Sequence, residues 1–171
     1  MRIVELPEGD ALRQIDNLSD LLIDAVEGGA SVSFMAGLTR PEANAFWQEA
    51  IDGIATGVTH LFAALEGSRL LGAVLRKPCW QPNQPHRADV AKLLVLREAR
   101  RRGVAFLLMA ALEARALQLG RTLLTLDTAA GSAAEPLYRS RGYQRAGEIP
   151  GYGLATDGRL EPTVIYYKQL A

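Results

Sequence analysis

The chain has 171 residues, 49% of them apolar and 22% charged, and its 19 basic and 19 acidic side chains cancel. That length fits one domain, 1–171, able to bury roughly two thirds of its unfolded surface, while a net charge of zero argues against a nucleic-acid partner, whose phosphates demand an excess of Lys and Arg. No apolar run approaches the ~20 residues of a membrane span, and the opening Met1-Arg2-Ile3-Val4-Glu5-Leu6-Pro7-Glu8 carries acids early and lacks an apolar core of signal-peptide length, so a cytoplasmic protein without a membrane partner is expected.

In chain order, Leu12, Ile15, Leu18, Leu22 and Val26 recur at three- and four-residue spacing, which predicts an amphipathic helix over 11–26 that Gly28-Gly29 stops. Ala30-Ser31-Val32-Ser33-Phe34-Met35 follows as a short apolar stretch, open to core packing or to lining a substrate. Thr39-Arg40-Pro41-Glu42 is a capping box, in which the Thr hydroxyl and the Glu carboxylate satisfy each other's backbone N–H groups, so a second helix begins near Arg40 and ends between Gly53 and Gly57. Leu61 to Leu65 and Leu70 to Leu75 read as a hairpin turning at Glu66-Gly67-Ser68-Arg69, and Pro78 to Pro85, with Trp80, as a fixed loop. Cys79, the only cysteine, has no disulfide partner and agrees with a reducing compartment.

The most informative stretch runs from Asp89 to Leu119. The apolar run Val90-Ala91-Lys92-Leu93-Leu94-Val95-Leu96 is a strand, Arg97-Glu98-Ala99 a turn, and Arg100-Arg101-Arg102-Gly103-Val104-Ala105 the opening of a long helix. A helix start leaves about four N–H groups without partners and carries roughly half a positive charge. With a glycine that lets backbone approach closely and arginines that add charge-assisted donors, such a junction suits a pyrophosphate. Neither G-x-x-x-x-G-K-[ST] nor G-x-G-x-x-G occurs.

Arg121 to Thr128 is the next predicted strand, parallel to the first because a whole helix separates them. Ser132 to Arg141 is a short helix with Ser132 as its N-cap. Two last strands, Tyr143 to Glu148 and Thr163 to Leu170, are joined by a loop from Pro150 to Pro162. The apolar tail Thr163-Val164-Ile165-Tyr166-Tyr167 is expected near an exposed sheet edge, where a homodimer would cover it. The two His and one Cys lack metal-ligand spacing, so no metal is expected.

The pattern R-x-x-G-x-A, carried by Arg100, Gly103 and Ala105 after a strand ending Leu-x-Val, closely resembles the coenzyme A pyrophosphate loop of the GNAT superfamily of N-acetyltransferases. The stretches 28–35, His86-Arg87-Ala88-Asp89-Val90, Leu126-Asp127-Thr128 with Ala130-Gly131-Ser132, and 150–152 through 165–167 resemble its tabtoxin-resistance subgroup. The resemblance implies a mixed α/β fold with a twisted, splayed central sheet flanked by helices. It also implies acetyl-CoA as cosubstrate and a small-molecule amine as acceptor, amino-acid-like or of toxin or antibiotic kind.

On the same resemblance, acetyl-CoA is held by Arg100, Arg101, Arg102, Gly103, Val104 and Ala105 at the pyrophosphate and by the backbone of Leu93, Leu94 and Val95 along the pantetheine. Tyr138, in Leu137-Tyr138-Arg139-Ser140-Arg141-Gly142-Tyr143, matches the phenol that protonates the leaving thiolate. Gly131 stands where an Asn is common seven residues earlier. Asp127 is expected to orient the acceptor amine and Asp89, at the opening of the central strand, to take its proton, with Glu161, His60 and His86 as further acid–base candidates. Acylation of a protein amine and a non-catalytic acyl-CoA-binding role are the alternatives.

Overall fold

The computed structural model describes residues 1–171, and in it β1 (Arg2–Leu6) is followed by α1 (Glu8–Arg13) and α2 (Ile15–Glu27). The single helix predicted over 11–26 is thus two, because Gln14 leaves helical geometry at φ −100°, ψ 3°. The break separates the two apolar stripes: Leu18, Leu22 and Val26 are buried, whereas Leu12 stays 39% exposed. β1 itself escaped the sequence reading. α3 (Arg40–Ala55) starts at the predicted capping box, with the Thr39 amide donating to Glu42 Oε2 at 2.8 Å.

β2 (His60–Glu66), β3 (Arg69–Pro78) and β4 (Arg87–Val95) form an antiparallel meander onto which β1 pairs. α4 (Val104–Gln118) then crosses over to β5 (Leu123–Ala129), which runs parallel to β4 as predicted. After α5 (Glu135–Ser140), the strands β6 (Gln144–Leu154) and β7 (Leu160–Gln169) complete a seven-stranded sheet in the order β1-β2-β3-β4-β5-β7-β6. One core lies between the sheet and α4, built on Phe62, Val74, Leu108, Leu112, Leu124 and Tyr166. The other lies under α2 and α3, around Leu18, Leu22, Trp47, Leu61 and Leu75. No helix is long and apolar enough to cross a membrane.

Three expectations near the C-terminus need correction. The loop placed at 150–162 is largely strand, because β6 runs on to Leu154 and β7 begins at Leu160. β6 is an edge strand, where a proline such as Pro150 removes no ladder bond on its open side. Ser132 does not cap α5, whose N-cap is Ala134; its hydroxyl instead meets Thr128 Oγ1 at 2.9 Å. Residues 163–167 are not at an edge either, since β7 lies between β5 and β6. The sheet-edge argument for a homodimer through that tail therefore falls.

An ion cluster ties α4 to β7 and to the end of α5. Glu113 on α4 accepts from Arg141 Nε at 2.9 Å, from Arg141 Nη2 at 2.7 Å and from Lys168 Nζ at 2.6 Å. Burial pushes the Glu113 carboxyl up, but the hydrogen bonds and charges of Arg141 and Lys168 outweigh it and leave the group below its usual range. A carboxyl depressed by folding contributes stability above its unfolded pKa of about 4.3 and loses it as pH falls through the folded value. Glu113→Ala should therefore cost about 3 kcal/mol in urea unfolding at pH 7, where two half-buried cations lose their partner. The gap to the wild type should close toward pH 3, and equal midpoints at pH 7 would refute the assignment.

Two local features shape the site. β4 and β5 share only the rungs Arg87↔Leu123, Ala88↔Leu124 and Asp89↔Thr125, then part. In β4, Lys92 takes a positive φ of 50° at a bulge against β3, where the register slips between Ala73↔Leu94 and Leu75↔Ala91.

Candidate active site

At one end of the gap between β4 and β5 lies the turn into α4. Gly103 caps the helix at φ 78°, ψ 4°, a left-handed conformation that costs glycine nothing, and a Cβ there would project into open space. The backbone amides from Arg101 through Phe106 find no acceptor within the protein. Unpaired N–H groups at a helix start fit an anion, and a pyrophosphate offers enough oxygens for several of them. The arginines divide. Arg102 pairs with Glu66 at 2.7 Å, Arg100 reaches the Val95 carbonyl at 3.4 Å, and Arg101, at φ 62°, has no side-chain partner. Two of the three predicted cations are thus unpaired by carboxylates, and Arg97, beyond the turn, is held by Asp24 at 2.7 Å.

Leu93, Leu94 and Val95 lie on β4 beyond its last rung with β5, so their strand edge faces the gap. Leu94 packs toward α2 and α3, while Leu93 and Val95 pack on the α4 side. Val104 is buried under the loop and Ala105 is half-buried.

Tyr138 packs its ring against Tyr143 and Tyr166, with centroids 5.8 and 5.9 Å away, and is only 6% exposed. Its hydroxyl makes no hydrogen bond, yet it is not among the sealed polar atoms, in contrast to that of Tyr143. The phenol tip is therefore not fully sealed, and its donor is unused. Burial first, and then the negative charge of Asp127, raise its pKa well above the ordinary phenol range, which keeps the proton on.

The two predicted acids share one sheet face but not one environment. Asp89 is the third residue of β4 rather than its opening, and it sits on the last rung before the strands part. Its Oδ1 accepts from Arg87 Nη1 at 2.7 Å and from the Thr125 hydroxyl, and the Cys79 thiol lies 3.7 Å from Oδ2. Asp127 lies two residues past that rung, exposed and without a side-chain partner, in a cleft of about 250 Å³. Ser31, Ser33, Thr128, Tyr152 and Glu161 line the same cleft. The apolar stretch at 30–35 thus contributes two wall residues, and Glu161 joins the site. His60 instead bonds Glu5 at 2.7 Å, on the far side of the sheet centre, and His86 precedes β4 at the closed end of the gap.

Sequence reasoning passed over Lys92. Its signal was available, as the one charge within the run 90–96, but nothing local shows a bulge. The three non-glycine residues with positive φ are Ser33, which lines the cleft, Lys92, which bonds Ser33, and Arg101, in the turn into α4. Such backbone is held only where surroundings over-determine it, and it concentrates at functional positions.

The chain's residues 23–143 match the Acetyltransferase (GNAT) family. Among solved structures, a ribosomal-protein-alanine N-acetyltransferase from Brucella melitensis is 23% identical with a TM-score of 0.79, over 99% of this chain and all of that one. An N-acetyltransferase from Staphylococcus aureus Mu50 is 18% identical with a TM-score of 0.82, over 99% and 98%. Salmonella typhimurium yncA, solved with its cofactor acetyl-CoA, is 15% identical with a TM-score of 0.80, over 100% and 94%. At these identities the likeness is one of fold; with a family match spanning most of its length, the chain belongs to the GNAT family of acetyltransferases.

Proposed function

We propose that the protein transfers the acetyl group of acetyl-CoA to the primary amine of a small molecule seated in the cleft at Asp127. The observation that carries this reading is the Tyr138 hydroxyl, an unused donor whose proton is held by burial and by the charge of the cleft's own acid. The amides of Arg101 to Phe106, with Arg100 and Arg101, would hold the pyrophosphate, and the open edge of Leu93 to Val95 the pantetheine. Likeness of the loop at 28–35 to the tabtoxin-resistance subgroup, and a cleft of only about 250 Å³, favour a compact acceptor over a protein surface.

An alkylammonium must lose a proton before it can attack, since its pKa lies near ~10. Asp127 attracts the ammonium and accepts that proton, directly or through water, with Glu161 adding negative charge farther out on β7. The amine lone pair then forms the new bond to the thioester carbonyl carbon as the carbon–sulfur bond breaks. The proton first taken at Asp127 passes to solvent, the new amide nitrogen releases its second proton to Asp127 as Tyr138 gives its own to the departing sulfur, and that second proton returns to the phenolate through solvent. Asp89, tied to Arg87 and Thr125, is assigned to holding the last rung closed rather than to the base step.

Thiol release from acetyl-CoA across amines, amino acids, polyamines, aminoglycosides and short peptides tests the activity, and absence of acetyl-CoA binding by calorimetry would overturn it. Within that assay, Asp127→Asn should lower kcat/KM roughly 10²-fold at neutral pH, with partial recovery at high pH where free amine is abundant. Asp89→Asn should keep activity within a few-fold while lowering the melting temperature. The reverse pattern would return the proton-accepting role to Asp89.

A further inference from the structure

Lys92 lies inside an apolar strand, at the β4 bulge, with a backbone conformation that disfavours any side chain. The bulge inserts one residue between Ala91 and Leu94, both of which face α2 and α3. Lys92 is thereby aimed at the loop before α3. Its Nζ donates to Ser33 Oγ at 3.1 Å and stands 5.6 and 5.5 Å from the ring centroids of Phe34 and Phe46. Those rings meet edge to face at 5.4 Å and form a firm shelf under the ammonium.

The cation is incompletely matched. An ammonium offers three protons, and here one reaches a hydroxyl while the aromatic faces give only diffuse attraction. No carboxylate lies within ion-pair distance. Burial, and then the charge of Lys77, lower its pKa, and Asp127 only partly offsets them. Ser33, the residue it touches, is also a wall of the cleft that holds Asp127 and Glu161. The site therefore presents a half-buried cation beside its acids without joining the two in a salt bridge.

We propose that Lys92 is a specificity-determining residue that receives the carboxylate of the acceptor, so that the preferred substrates are amino-acid-like zwitterions bearing an amine for Asp127 and a carboxylate for Lys92. This rests on the cleft being the acceptor site. A polycation gains at Asp127 and Glu161 but meets a like charge at Lys92. A zwitterion satisfies both ends and supplies the acceptor oxygens that the free ammonium protons lack.

The test uses acetyl-CoA with the proteinogenic amino acids, each paired with its own carboxamide, and reads thiol release. Wild-type protein should acetylate members of the amino-acid set and show a KM roughly 10- to 100-fold higher for the matching carboxamides, the worth of one charge-assisted hydrogen bond. Lys92→Met, which keeps length without charge, should raise the amino-acid KM by that factor and leave both the carboxamide KM and the acetyl-CoA dissociation constant unchanged. Lys92→Arg should restore much of the preference. The inference is overturned if amino acids and carboxamides are used equally, if Lys92→Met preserves the wild-type ratio in a folded protein, or if no amino acid is acetylated. Calorimetry on the same samples separates these failures from a failure of the acetyl-CoA reading, in which binding itself would be absent.

Discussion

Replacing Tyr138 by phenylalanine is expected to lower kcat by roughly 10²–10⁴-fold, the usual span for loss of a general acid, with little change in the KM for acetyl-CoA. The asymmetry follows from where the hydroxyl sits. It has no partner in the resting protein, so its removal breaks no hydrogen bond and opens no cavity, while the ring keeps its packing on Tyr143 and Tyr166. What is lost is a donor needed only as sulfur takes on negative charge. Steady-state kinetics with the best acceptor from the thiol-release screen would measure it. A variant within about twofold of wild type would leave Tyr138 as a packing residue.

Gly103→Val is expected to weaken acetyl-CoA binding at least ~10²-fold. An added Cβ meets no protein atom within 4 Å, so the folded chain should bear mainly the strain of a left-handed, β-branched residue, about 1–2 kcal/mol. Its methyls would instead compete for the space beside the unpaired amides of Arg101 to Phe106, where the phosphate oxygens would lie. Gly103→Ala, with the same backbone strain and less bulk, should lose less affinity for a similar loss of stability. Calorimetry showing an unchanged dissociation constant in folded Gly103→Val would remove the pyrophosphate from this loop.

What the sequence disclosed and what it withheld divide along the range of the forces involved. The capping box at Thr39 and the glycine at the start of α4 are set by residues a few positions apart, and the parallel β4–β5 pairing by the whole helix that separates the two strands; all three are present. The pairing of Arg102 with Glu66 and of Asp89 with Thr125 joins residues 36 apart, and no local pattern announces either. Helical periodicity could not show that Gln14 breaks the first helix. The glycines and proline of β6 read as a loop because turn chemistry and an irregular edge strand use the same residues. At the site, the arginine turn was nameable from its strand–glycine–helix junction, and Tyr138 and Asp127 from the family resemblance. Lys92 was not, since its role depends on a bulge that only the partner strand β3 reveals.

The parting of β4 from β5 carries a consequence for how the molecule moves. Backbone groups of two interior strands are left without a neighbour, so the middle of the sheet behaves there like a rim. The halves on either side, β1 to β4 with α2 and α3, and β5 to β7 with α5, are joined across the seam by three rungs and by α4 beneath. Small rocking about the Asp89–Thr125 rung would change the width of the gap, resisted mainly by the α4-side core, which spans both halves. A molecule lying in the gap would act as a wedge that sets this width. Occupancy on the side of the arginine turn would thereby tune the spacing of Asp127 from Lys92, a mechanical route by which the first substrate bound prepares the seat of the second.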